Sequence, residues 1–95
     1  MSLRERLADF AGALTSATDA PDNYLPTGYV TYESNMADLK DLWSQIRPLL
    51  KRDVEQAEFI DAKLLEMRTA FDTGDKDKGR KAVWAIYNLG VEKLR

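Results

Sequence analysis

Residues 36–71 read MADLKDLWSQIRPLLKRDVEQAEFIDAKLLEMRTAF, and their reading decides the fold. Counted in sevens from Met36, the two inward positions fall at Met36, Leu39, Trp43, Ile46, Leu50, Asp53, Ala57, Ile60, Leu64, Met67 and Phe71. Ten of these eleven are apolar. A 3.5-residue spacing keeps one stripe facing a neighbour, so the run predicts a helix packed along its whole length. A continuous helix over these residues would be about 54 Å long. Such a helix needs partners from end to end, because most helical stability in proteins comes from packing.

Two residues interrupt the pattern. Pro48 removes a backbone hydrogen bond and crowds the carbonyl of Ser44. It lies off the stripe, so the expectation is a kink with the stripe preserved. Asp53 lies on the stripe itself. Either the kink rotates Val54 into its place, or Asp53 pairs and fixes register. Leu42 and Leu49 add a second apolar row, and a face this wide suits two neighbours.

Outward from this segment, the expected order is a helix over about 2–17, a connector over 18–34, the long helix over about 35–72, and a last helix over about 76–94. Ser2 and Glu5 match a capping box. Leu3, Leu7, Phe10 and Leu14 recur at helical spacing. Gly12 costs that helix about 1 kcal/mol relative to Ala, so it must dock. In the connector, Leu25-Pro26-Thr27-Gly28 suits a β-turn. Tyr24, Tyr29 and Tyr32 crowd into nine residues there. They read either as a lid over the core or as loop contacts for a ligand, since Tyr joins contact area to a polar handle. Asn35 with Asp38 suits a cap for the long helix.

Thr73-Gly74 reads as a left-handed C-terminal cap, and Asp75 or Asp77 as the cap of the last helix. Val83, Trp84, Ile86, Tyr87, Leu89, Val91 and Leu94 cover more than half of that helix. An antiparallel hairpin about Gly74 would set Tyr87 opposite Ile60 and Trp84 opposite Leu64. It would also bring Lys93 and Arg95 near Asp53. Leu39, Leu42, Trp43, Ile46 and Leu49 then stay uncovered, to be closed by the first helix or by a second subunit. The fold class is therefore all-α: a small helical bundle of one domain, with a short N-terminal helix and a long kinked hairpin.

Composition narrows function by exclusion. The 95 residues contain no His and no Cys, and 14 Lys and Arg offset 16 Asp and Glu to a net charge of −2. The commonest general base and the commonest transition-metal ligand are both missing, and nucleophile triads lack a base. Glu55, Glu58 and Asp61 recur at three-residue spacing. Di-metal bundles need Glu-x-x-His pairs, so these carboxylates read as a solvated face. No cofactor, metal or catalytic residue is expected. The charge gives no field for nucleic acid, no run of eighteen apolar residues suggests a membrane span, and no N-terminal address is present, so the expected location is cytoplasmic.

Two functional readings follow. The first is a non-catalytic interaction module that binds a protein partner or itself, as a homodimer or larger. Its anchors would be Leu39, Leu42, Trp43 and Ile46, then Trp84 and Tyr87. The second places a phosphate-bearing ligand at the start of the last helix, on Lys76, Lys78, Arg80 and Lys81, with connector tyrosines stacking on it.

Overall fold

The computed structural model describes residues 2–24, 28 and 30–95. The expected all-α architecture is what they form: four α-helices, α1 (Leu3–Ala17), α2 (Tyr32–Ile46), α3 (Val54–Asp72) and α4 (Lys76–Tyr87), with no strand among the described residues. The β-turn over Leu25–Gly28 and the loop contact expected of Tyr29 fall on or among residues outside that description.

The 36–71 segment is two helices and not one. The whole molecule is 37 Å in its longest dimension, which leaves no room for a continuous 54 Å rod. Pro48 sits in the first turn of a 3₁₀ helix, Arg47–Leu49, where its missing N–H costs nothing. Leu50 is extended (φ −77°, ψ 124°), and the chain restarts as α3 after Asp53. Main-chain amides in this break would lack partners, but the Arg95 main-chain oxygen accepts from the amides of Lys51 (3.2 Å), Arg52 (3.0 Å) and Asp53 (3.0 Å). In return the Arg95 amide donates to Asp53 Oδ2 at 2.7 Å. Arg95 therefore does meet Asp53, through its backbone and not through its guanidinium. Asp53 serves the break and takes no place in a stripe.

The helices form a ring open on one side. α1 packs on α2, α1 on α4, and α4 on α3. The α3–α4 hairpin turns at Gly74, which is left-handed (φ 86°). Gly74 N–H donates to Phe71 O and Asp75 N–H to Ala70 O, the two bonds of a Schellman cap. Asp75 Oδ1 then accepts from Lys78 N at 3.2 Å and caps α4. Gly79 sets the rotation of α4: a Cβ there would lie 2.3 Å from the Phe71 ring. That close approach turns Ala82, Val83 and Ile86 inward and leaves Trp84 and Tyr87 outside. The expected pairing of Trp84 with Leu64 and Tyr87 with Ile60 is corrected accordingly. α4 also ends at Tyr87, short of the expected 94. Gly90 is left-handed (φ 72°) and starts a separate 3₁₀ turn, Val91–Lys93.

α1 closes the face that the sequence left open. Leu7, Phe10 and Leu14 are fully buried, and Phe10 stacks on Trp43 at 5.4 Å. Burial of each such side chain contributes about 1.5–3 kcal/mol, which a helix containing Gly12 needs in order to form. Leu39 and Ile46 are interior, and Trp43 is 7% exposed. They are core residues, so the expectation that they form an open subunit interface is corrected. Leu42 is half-buried and packs against the same core.

The start of α2 also differs from expectation. Its cap is Thr31, whose hydroxyl accepts from Ser34 N while Ser34 Oγ accepts from Thr31 N. Asn35 is instead a buried polar tie (2% exposed). Its Nδ2 donates to Ala13 O at 3.0 Å, and its Oδ1 accepts from Tyr24 OH at 2.8 Å. Burial, then the charges of Tyr32 and Asp19, push the Tyr24 phenol up to about 12. One amide thus joins α1, α2 and the connector. Asn35→Ala removes both bonds and leaves the Tyr24 hydroxyl without its partner, and should cost roughly 1–2 kcal/mol in chemical denaturation. An unchanged midpoint would mean that the tie carries no stability.

Candidate functional site

The open side of the ring is the candidate site. From the break α2 and α3 run back alongside each other, bridged by side chains at both ends, and share little main-chain contact. Between them runs a groove of about 700 Å³. Met36, Leu39 and Trp43 contribute from α2, and Leu64, Leu65 and Met67 from α3. Lys40, Ser44, Asp61, Arg68 and Asp72 form its polar rim. Leu65 is 71% exposed, the most exposed large apolar side chain described.

Polar clasps hold the groove at both ends. Near the break, Asp61 accepts from Trp43 Nε1 at 2.7 Å and from Arg47 Nε at 3.1 Å. The buried indole finds its partner across the groove, as Trp N–H groups commonly must. At the far end, Tyr32 OH donates to Asp72 Oδ1 at 3.3 Å. The Tyr32 ring meets Phe71 edge-on at 5.9 Å, and the Arg68 guanidinium lies 5.5 Å from the same ring. Burial raises the Tyr32 pKa, with Asp72 adding to the rise and Arg68 opposing it. Arg68 also pairs with Asp72 at 3.3 Å. These contacts consume the charges of Arg47, Asp61, Arg68 and Asp72. Lys40 is the rim cation with no ion-pair partner among the described residues.

Comparison with protein-family models, curated proteins and solved structures gave no match. The assignment of a site therefore rests on this chain's own geometry.

The other residues singled out from the sequence are placed as follows. Trp84 and Tyr87 are 46% and 41% exposed and meet edge-on at 5.5 Å. They lie away from the groove, on the α1 side of α4, where Tyr87 borders a small cavity with Ala11 and Val91. Tyr24 and Tyr32 both pack against the helices, as a lid would. The basic run at the start of α4 is largely engaged. Lys76 and Arg80 both bond to Asp22, and Arg80 Nε donates to Ala20 O at 2.7 Å. The Lys76 ammonium holds the Asp22 carboxyl below its usual range, chiefly by hydrogen bonding, and Arg80 adds to this. Asp75 fills the helix N-terminus. Lys78 and Lys81 are the members of the run with no ion pair among the described residues. No group of three or more metal-ligating side chains occurs among the described residues, and no described helix is long and apolar enough to cross a membrane.

The groove itself was hidden from a reading in sevens, which assigned Met36 to Phe71 to one helix. The available signal was Pro48 followed five residues later by a polar stripe position. The clasp is testable through Trp43. In a Trp84→Phe background, Asp61→Ala should shift Trp43 emission to the red and lower stability by roughly 1–2 kcal/mol. Asp61→Asn should lose less, because its oxygen still accepts from the indole. Unchanged emission in Asp61→Ala would show that the indole is not held across the groove.

Proposed function

We propose that this chain is a non-catalytic interaction module that receives an amphipathic helix in the α2–α3 groove. The observation that carries the reading is the groove itself, where α2 and α3 meet through side chains with little main-chain contact: exposed Leu65 and half-buried Leu64 stand over a floor of buried Met36, Leu39, Trp43 and Met67. Large pockets with an apolar floor and few polar groups are where binding is expected. Along α2 the floor runs from Met36 to Ser44, about 12 Å, which matches anchors at i, i+3 or i+4, and i+7 of a bound helix. Lys40 favours an acidic residue on the incoming helix. The non-catalytic part of the reading is supported by the absence of His and Cys from the sequence.

The bound helix can come from a different protein or from another copy of this chain. Trp84 and Tyr87 are proposed as a second contact surface, since exposed aromatics are the usual anchors of interfaces.

Leu65→Glu is the discriminating variant, because this side chain lines the groove and supports no core contact. Displayed amphipathic helices should be selected by the wild-type chain and rejected by Leu65→Glu. Light scattering across a concentration range should assign the source: a dimer that Leu65→Glu converts to monomer means a second copy. A chain that is monomeric throughout and selects no helix sensitive to Leu65→Glu would contradict the proposal.

A further inference from the structure

The fold gathers five cations that are distant in sequence. The three amides that bind the Arg95 oxygen belong to Lys51, Arg52 and Asp53, so the break and the last residues lie side by side. The N-terminal turn of α1 joins them: Arg4, Ala8, Glu92, Lys93 and Arg95 line one cavity of about 280 Å³. Arg4, Lys51, Arg52, Lys93 and Arg95 are all exposed, and none has an ion-pair partner among the described residues. These are five of the 14 cations in an acidic chain, concentrated at one end. Glu92 is the acid in the cavity wall, and Asp53 is already committed to the Arg95 amide. The contrast with α4 is direct. There the run is local in sequence and two of its four cations, Lys76 and Arg80, are held by Asp22, whereas here the cations come from three segments and none is in an ion pair among the described residues, the Arg95 guanidinium bonding to the main-chain oxygen of Leu94.

We propose that this pole, centred on Arg4, Lys93 and Arg95 with Lys51 and Arg52 at its edge, binds a compact ligand carrying two or more phosphate groups. Two arginines supply planar forks that suit phosphate oxygens, and the ammonium groups add point charges. Across the whole pole five cations face Glu92 and Asp53, an excess of three, which is more than one phosphate of about −2 neutralises and so favours diphosphate and longer groups over monophosphate. Such a ligand would bridge α1, the break and the final turn. It would therefore stabilise the fold by mass action, since the unfolded chain does not hold the three segments together. The site is independent of the α2–α3 groove.

The test uses inorganic tripolyphosphate with the whole chain. Expected are a saturable rise in melting temperature, a weaker response to monophosphate, and amide shifts confined to residues near 4–8, 50–53 and 91–95. Arg4→Gln with Lys93→Gln should weaken binding at least about tenfold, the loss of one charge-assisted contact or more. Lys78→Gln with Lys81→Gln should leave it unchanged. All four side chains are exposed, so folding is preserved. Vesicles bearing phosphoinositides form a second arm. Vesicle binding that tripolyphosphate competes away at the same residues supports the site and names a lipid headgroup as the source. Soluble binding without vesicle binding supports it and names a free polyphosphate. No saturable binding in either arm, or equal loss in both double variants, overturns the proposal.

Discussion

The structure depends on how seven residues between two helices satisfy their backbone. Pro48 cannot donate, Leu50 is extended, and the amides of Lys51, Arg52 and Asp53 have no helical acceptor. All three converge on the main-chain oxygen of Arg95, and the Arg95 amide donates to Asp53 Oδ2 in return. A net main-chain hydrogen bond contributes about 0.5–1.5 kcal/mol, so three converging on one oxygen hold the break firmly. The last residues described are thus what makes the break in the middle of the chain tolerable. The left-handed Gly90 and the short 3₁₀ turn after it deliver Arg95 to that place.

Everything distinctive about the molecule follows from this break. With α2 and α3 separated, α2 can pair with α1 while α3 pairs with α4. Gly79 lets α4 approach Phe71 closely, and Asn35 locks α1 to α2. Three sides of the ring are packed, and the fourth is spanned by side chains around Asp61 and Asp72. A groove bordered by hydrogen bonds is easier to open than one bordered by packed leucines, because exposed polar contacts exchange readily with water. The same break also collects Lys51 and Arg52 beside Lys93, Arg95 and Arg4.

Local signals were readable in the sequence wherever one turn of chain decides the outcome. The left-handed Gly74 and the Asp75 cap act within a few residues and are found as read, and Ser2 caps α1 through the Glu5 amide, though Glu5 meets the Ser2 hydroxyl and not its amide, so the capping box is half formed. The helical content and the α3–α4 hairpin follow from the same kind of evidence. What escaped was decided at long range. The apolar stripe continues in sevens across Pro48, so periodicity alone cannot distinguish a kinked rod from two helices folded apart. The deciding acceptor is 42 residues away at Arg95. Asn35 looks like a cap because Asn is a good one, yet its amide is drawn into the core by Ala13 and Tyr24. Trp84 and Tyr87 look like core because they are large, but the rotation set by Gly79 turns them outward. Two cations of the basic run of α4, Lys76 and Arg80, are held by Asp22, more than 50 residues earlier, which no local reading of the run could show.

The most direct test is a distance across the groove. The chain has no cysteine, so Lys40→Cys with Leu65→Cys can be spin-labelled without interference. In a continuous helix these positions would be about 38 Å apart. In the folded-back arrangement both line the same groove, so the labels should fall at well under that separation, in a single narrow distribution. A distribution centred near 38 Å would mean that residues 36–71 form one rod, and the groove, its clasps and the lock at Arg95 would all be contradicted.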